Sequence, residues 1–392
     1  MKYRLDRYGN PVSILGFGCM RFPLRRGKID MKETEQEILT AYRSGINYYD
    51  TAYIYPGSEA ALGKILQKNA IREQVYIATK LPHYLLRRPE DIERIFREEL
   101  QRLRSTYIDY YLLHMLSDLE SWERLKSLGF ENWLAEKKKS GAIRQIGFSY
   151  HGNSEMFCRL LDAFDWDFCQ IQYNYMDEHS QAGRRGLHHA HEKGLPVIIM
   201  EPLRGGKLVS RLPEEAKQLF ATNSRGWSAA EWALRWLWNQ PEVCCVLSGM
   251  NSDAMLRENV NSASRAEAGD LGLEDQHFLQ KVASAINARM KVACTGCSYC
   301  LPCPAQVDIP GSFSAYNRRY SEGRFWAKVD YFVCTALRKN ATSASNCIGC
   351  GKCEKHCPQG IAIREELKNV CKEMETPVYR FFRSVLRLLK IF

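Results

Sequence analysis

The chain has 392 residues, 45% of them apolar, without a run of 18 or more apolar residues, so a membrane-spanning helix is excluded and a soluble protein with a substantial core is expected. Met1-Lys2-Tyr3-Arg4-Leu5-Asp6 lacks the apolar stretch of a secretory signal, and a cytoplasmic location is expected. The formal charge of +10 is uneven: Cys294 to Phe392 hold 15 Lys and Arg against 8 Asp and Glu. Without a nucleic-acid motif, that excess does not read as a nucleic-acid footprint.

In chain order, residues through Pro11 read as a polar cap, and Ile14 to Cys19 as the first strand. Glu33 to Arg43 is predicted helical, followed by a β-favouring run from Ile46 that ends on Asp50. Ala60 to Gln67 is the second helix, and the strand from Gln74 to Thr79 stops at Lys80. Pro89 to Leu103 is a helix with Pro near its first turn and acids early. Ile108 to Leu113 is a strand stopping at His114, and Leu119 to Lys139 a helical stretch. Strands at Ala142–Ser149, Phe168–Asn174, Pro196–Met200 and Val243–Ser248 then alternate with helices at Glu155–Ala163, Gly186–Glu192, Ala229–Trp238 and Ala254–Asn261. Eight such alternations specify an α/β fold, a closed (β/α)8 TIM barrel over residues 1–265. Leu203 to Ser228, after the seventh strand, is a candidate active-site lid.

Residues 266–293 read as a connecting helix with Leu279, Val282, Ala283 and Ile286 on one face. Composition then shifts to Cys, Gly and Pro. Residues 294–376 are expected to form a small α-rich, ferredoxin-like iron–sulfur domain, with a mostly helical insert from Asp308 to Asn346, and 377–392 a basic amphipathic helix.

Asp50, Lys80 and His114 end three successive parallel strands, at the carboxyl face where α/β barrels carry their chemistry, and Tyr55 lies five residues beyond Asp50. A phenol near pKa 10 is a poor acid at neutral pH. A lysine ammonium against its hydroxyl would lower that value, with Asp50 holding the lysine charged. His114 would orient a substrate oxygen. Taken singly, a lysine at a strand end is usually snorkelling and a histidine usually a satisfied core group. Four compatible groups at one barrel end point instead to protonation of a carbonyl oxygen as hydride reaches its carbon.

These residues carry a resemblance to the aldo/keto reductase family over about residues 1–265. Asp50-Thr51-Ala52 with Tyr55, Ile77-Ala78-Thr79-Lys80 and Tyr111-Leu112-Leu113-His114 resemble its characteristic segments. The resemblance implies interconversion of a small-molecule carbonyl and alcohol with NADP or NAD, Tyr55 serving as general acid/base. It also implies that Ser149 and Gln170 hold the carboxamide of the nicotinamide. Met200-Glu201-Pro202-Leu203 stands where the family commonly has Tyr-Ser-Pro-Leu, so Met200 would meet the nicotinamide ring through its thioether, with Pro202 and Leu203 beside it. Ser248, Gly249, Met250, Glu258 and Asn259 match the adenosine end, and Gly18 and Met20 close the first strand beside the cofactor. Where NADP-preferring members carry a lysine and an arginine for the 2′-phosphate, Gly249 and Met255 stand here, leaving NADH as open as NADPH.

Fifteen cysteines divide sharply. Cys19, Cys158, Cys169, Cys244 and Cys245 sit in apolar contexts and read as core residues. Cys347-x2-Cys350-x2-Cys353-x3-Cys357-Pro358 is the bacterial ferredoxin spacing, in which the last cysteine serves the other cluster. Cys294-x2-Cys297-x2-Cys300-x2-Cys303-Pro304 is one residue shorter before its final Cys-Pro. The assignment is therefore Cys347, Cys350, Cys353 and Cys303 to one [4Fe–4S] cluster, and Cys294, Cys297, Cys300 and Cys357 to the other. Zinc is the competing ligand, disfavoured by four thiols within ten or eleven residues and a trailing Pro in each run. Two oxidised clusters with their thiolates add about −2 each, which answers much of the local positive charge. Cys334 and Cys371 lie outside both runs. A barrel with such a tail resembles a ferredoxin-containing branch of the same family.

Arg380, Arg383, Arg387 and Lys390 share one face of the terminal helix, and Phe381, Phe382, Val385, Leu386, Leu388, Leu389 and Phe392 cover much of the rest. Docking on the protein's own surface is the preferred reading over a membrane or partner helix. Two functions compete: a reductase with added iron–sulfur centres, or an electron-transfer or redox-sensing protein whose barrel binds nucleotide without turnover. The intact four-residue set favours the first. Hydride moves two electrons whereas a [4Fe–4S] cluster takes one, and no flavin signature is present. The clusters are therefore read as structural, as serving a redox-partner protein, or as meeting a one-electron acceptor in the active site.

Overall fold

The computed structural model describes residues 1–392 apart from 289, 295, 297, 322, 339, 358 and 390–392; Cys297, Pro358, Lys390 and Phe392 thus lie outside the described residues. Eight parallel strands close into a barrel: β1 (Leu15–Gly18), β2 (Tyr48–Asp50), β3 (Tyr76–Leu81), β4 (Ile108–Leu113), β5 (Ile143–Tyr150), β6 (Phe168–Gln172), β7 (Val197–Met200) and β8 (Val243–Ser248). Neighbours follow chain order, and β8 closes on β1.

Side chains alternate across the barrel wall, as the two-residue period of a strand demands. Tyr48, Ala78, Tyr110, Leu112, Phe168, Ile198 and Cys245 fill the interior, whereas Tyr49, Ile77, Tyr111 and Ile199 pack outward against the helices. Two places beyond Tyr48, Ala78 and Leu112 stand Asp50, Lys80 and His114, so the phase that fills the core also turns these three inward. Register agrees, pairing Asp50 with Ala78 and Lys80 with Leu112.

The N-terminal residues are more than a polar cap. Tyr3–Leu5 and Pro11–Ser13 form a hairpin whose buried Asp6 accepts hydrogen bonds from Tyr110 (2.7 Å) and Gln145, closing the amino end of the barrel. The long fourth helix is two, Leu119–Ser127 and Phe130–Lys139, because Gly129 takes φ 78° between them. The expected lid is corrected more deeply. Residues after β7 form short helices, including Lys207–Ser210 and Glu214–Ala221, and bury Leu208, Leu212, Ala216 and Phe220 against Leu279, Val282 and Ile286 of the helix Leu273–Asn287. Much of this segment is core.

Beyond it, helices Ile309–Ser321, Arg324–Ala336 and Ile363–Met374 surround a small core of Phe313, Tyr316, Tyr331, Leu367 and Val370. This module rests on the barrel's carboxyl face. Ser117 donates to the Leu337 carbonyl (3.4 Å) and Arg338 to the His151 carbonyl (3.3 Å). At the join Asp177 accepts from Arg204 Nε (2.8 Å) and from Arg318 of the module (2.7 Å), all three residues being buried. The last helix, Pro377–Leu388, touches the module along one edge, with Tyr379 buried against Tyr331 and Phe332.

Candidate active site

Lys80 Nζ lies 2.5 Å from Asp50 Oδ1 and donates to the Thr51 carbonyl at 2.7 Å, with both side chains buried. It stands 5.2 Å from the centre of the Tyr55 ring. The Tyr55 and His114 rings meet edge to face at 6.1 Å, and Tyr84 approaches His114 at 6.4 Å. The structure thus brings Asp50, Tyr55, Lys80 and His114 into one group at the barrel mouth.

Burial disfavours charge on Lys80, but Asp50 and Tyr55 overcome it and hold its pKa above the ordinary lysine value. The ammonium is therefore kept at neutral pH. Burial, reinforced by the positive charge of Lys80, drops His114 well below the usual histidine range. His114 is thus a neutral imidazole, able to donate one hydrogen bond. For Tyr55 the expected direction is corrected. Burial raises the phenol above its ordinary value, while Lys80 pulls it down and Asp50 pushes it up. Desolvation wins over the ammonium, because a phenolate loses more hydration here than one partly neutralised lysine returns.

Ser149 Oγ accepts the Met115 amide hydrogen at 2.9 Å, and the Gln170 amide nitrogen donates to Asp50 Oδ2 at 2.9 Å. Gln170 therefore belongs to the Lys80–Asp50 network as well as facing the site. Gly18 approaches the Ser248 carbonyl so closely that a Cβ would lie 3.4 Å from it. Met20 is exposed beside β1 and Met200 partly buried at the end of β7, followed by buried Pro202 and partly buried Leu203. At the other end Asn259 donates to Ser248 Oγ (3.1 Å) and Glu258 accepts from Ser228 (2.5 Å). Asn259 thus holds the β8 end in place, and Glu258 the start of the helix Ala229–Trp238. Met250 turns its side chain into the helix-facing core, so only its backbone remains for a ligand. Gly249 is covered by Arg21, whose Cδ would lie 3.5 Å from a Cβ there and whose guanidinium donates to the Gly205 carbonyl at 2.9 Å.

Arg21 was not visible as a site residue from sequence, because its partners are in loops about 180 and 230 positions away. Nor was Asp177, with Arg204 and Arg318. Burial works against charge on Asp177, but the two guanidinium groups drive its pKa far below the usual carboxylate range. The chain's order carries no signal for such pairs.

In the module, Cys300, Cys303, Cys347, Cys350 and Cys353 line one cavity, and Cys294, Cys300 and Cys357 another, Cys300 bordering both. Each run thus lends its final cysteine to the other's cavity. Gly349 and Gly351 take φ 72° and 69°, the left-handed backbone that turns successive N–H groups toward one point. Among the described residues no His, Cys, Asp or Glu groups converge as a single metal ion requires. Thiols spaced around a void suit a polynuclear cluster better than tetrahedral zinc. Cys19, Cys158, Cys169, Cys244 and Cys245 are buried in the barrel.

A closed parallel barrel with this mouth, joined to a thiol-lined module, defines a barrel oxidoreductase carrying an iron–sulfur domain. Residues 14–268 match the model of the aldo/keto reductase family and residues 293–362 that of the 4Fe-4S dicluster domain. An Escherichia coli NADH-specific methylglyoxal reductase is 26% identical over 300 residues, covering 65% of this chain and 89% of that protein. An Arabidopsis thaliana L-galactose dehydrogenase is 28% identical over 298 residues, covering 71% and 92%. The holo form of an aldo-keto reductase from Bacillus halodurans superposes with a TM-score of 0.60 at 26% identity, covering 73% of this chain and 97% of that one. The chain belongs to the aldo/keto reductase family.

Proposed function

We propose that this protein interconverts a small-molecule carbonyl and an alcohol using NADH or NADPH. Asp50, Tyr55, Lys80 and His114 would carry the chemistry, and two [4Fe–4S] clusters would serve electron transfer or structure. Residues 1–265 form the catalytic barrel in this reading, 266–293 the connector, 294–376 the cluster domain and 377–392 a terminal helix, in a cytoplasmic protein. The observation that carries it is the inward convergence of Lys80, pinned by Asp50 and Thr51, with Tyr55 and neutral His114. Reductase and dehydrogenase names among the relatives support the reaction class.

The nicotinamide, when bound, supplies or accepts hydride. Ser149 and Gln170 would hold its carboxamide. Met200 would border the ring, and Gly18, Met20, Pro202, Leu203, Ser248, Gly249 and the Met250 backbone would line the remainder. Glu258 and Asn259 would support the adenosine end. Proton traffic belongs to the protein. His114 donates a hydrogen bond that orients the carbonyl oxygen, and Tyr55 gives that oxygen its proton. Lys80 stabilises the phenolate left behind, while Asp50 and Gln170 keep the ammonium aimed. In the reverse direction the phenolate takes the alcohol proton. Cys303, Cys347, Cys350 and Cys353 would hold one cluster, with Cys294, Cys297, Cys300 and Cys357 holding the other, near the surface from which a redox-partner protein would be served.

The test uses anaerobically purified protein with NADH and NADPH against a panel of aldehydes, ketones and quinones. Turnover is expected, falling about 10²- to 10⁴-fold in Tyr55→Phe with iron and sulfide content unchanged. Carbonyl reduction retained in that variant would refute the assignment. Absence of turnover by the iron-replete protein would favour the electron-transfer alternative.

A further inference from the structure

We infer that the C-terminal helix is a peripheral anchor for an anionic lipid bilayer, lying flat in the headgroup region. Pro377–Leu388 docks on the module by an edge alone. Tyr379 is buried, its hydroxyl 2.7 Å from Ser343 Oγ and 3.1 Å from Thr335 Oγ1, and Arg383 donates to Ser343 at 3.3 Å. The apolar face is turned away from that seam. Val378, Phe381, Phe382, Val385, Leu388 and Leu389 recur at the three- and four-residue spacing of one helix face. Phe381 is 62% exposed, Phe382 54% and Leu388 83%. Water is a poor neighbour for two phenylalanines and a leucine side by side, and such faces mark interaction sites.

Charge selects the occupant. Residues 377–392 contain three arginines and one lysine and not one Asp or Glu. Arg380 and Arg387 are exposed on the side of the helix away from the apolar face. An apolar, aromatic face on a helix whose only charges are cations matches a surface that is apolar below and anionic above, which describes a bilayer containing acidic phospholipid. No helix among the described residues is long and apolar enough to cross a membrane, so the contact is interfacial. The anchor leaves Tyr379 and the thiol-lined cavities where they are and holds the module, ahead of the barrel, at the lipid surface. The inference is independent of the reaction proposed above.

Co-sedimentation of the full iron-loaded protein with vesicles tests it. Equimolar phosphatidylglycerol and phosphatidylcholine are compared with phosphatidylcholine alone. Binding is expected with the anionic vesicles and falls at least about tenfold in Phe381→Ser/Phe382→Ser/Leu388→Ser. Arg380→Gln/Arg387→Gln should lose roughly fivefold per arginine, and 0.5 M NaCl should weaken the wild type in the same direction. All three serines replace exposed residues, so unchanged circular dichroism and cluster absorbance verify folding. Failure of the wild type to sediment with anionic vesicles near physiological salt would overturn the inference, as would equal binding by the triple variant. Lipid-free dimerisation abolished by the triple variant would also overturn it, in favour of a self-association face.

Discussion

The barrel and the module solve the same problem with different materials. In the barrel, Tyr48, Tyr110, Phe168 and Ile198 meet inside a closed sheet while Tyr49, Tyr111 and Ile199 meet the helices outside, giving two nested apolar layers. In the module a single small cluster around Phe313, Tyr331 and Val370 has Cys294, Cys300, Cys303, Cys347, Cys353 and Cys357 packed against it. A smaller apolar cluster leaves metal–thiolate bonds a larger share of the stability of that region than of the barrel. The barrel's site is therefore built by strand phase before any ligand arrives, whereas the module's sites are built by their ligands.

The sharpest way to break this contrast is to remove the iron. Chelation under oxidising conditions is expected to make residues 294–376 protease-sensitive and to abolish their cooperative unfolding, while the barrel keeps its near-ultraviolet circular dichroism. Joint collapse of both regions would show that they are one folding unit.

The next largest effect is expected at the join. Asp177→Asn removes the buried carboxylate that Arg204 and Arg318 share, Arg318 keeping Asp330, a change worth about 3 kcal/mol. Thermal unfolding should read it as a lowered Tm. The folded pKa of Asp177 lies below its unfolded value of about 3.9, so its contribution is fully present above that pH and is lost only as pH falls toward the folded value. The wild-type join should accordingly survive mild acid, and the variant's deficit should shrink in strong acid.

A smaller effect is expected at Arg21. Because its guanidinium holds Gly205 and its aliphatic stem covers Gly249, Arg21→Ala should raise KM for the nicotinamide cofactor about 3- to 10-fold, leaving kcat near wild type. A larger change for NADPH than for NADH would make Arg21 the substitute for the missing strand-end cation. The smallest effect is a flat line. With His114 neutral and the Tyr55 phenol raised above 10, carbonyl reduction should vary little between about pH 6 and 9, and alcohol oxidation should rise with pH. A titration near pH 6.5 abolished by His114→Gln would contradict the neutral imidazole.

Much of this was legible in sequence because it is local. The alternation through Tyr48-Tyr49-Asp50 fixes which way Asp50 turns, and the same holds for Lys80 and His114. The thiol runs declare themselves by spacing, including the exchange of Cys303 and Cys357 between cavities. Leu208, Leu212, Ala216 and Phe220 also recur at helical spacing, but Gly205 and Gly206 ahead of them disguised a packed segment as a loop. The Tyr55 direction was misjudged because burial, the winning force, comes from residues distant in the chain. Arg318 and Asp177 are 141 positions apart, and nothing in either neighbourhood announces the other.

Gly296 lets the two regions approach closely. A Cβ at that position would lie 2.8 Å from the His179 carbonyl oxygen, so the turn between Cys294 and Cys300 is keyed against the barrel loop that follows β6. A side chain at position 296 would therefore push the thiol-bearing module off the barrel's rim while leaving every cysteine in place.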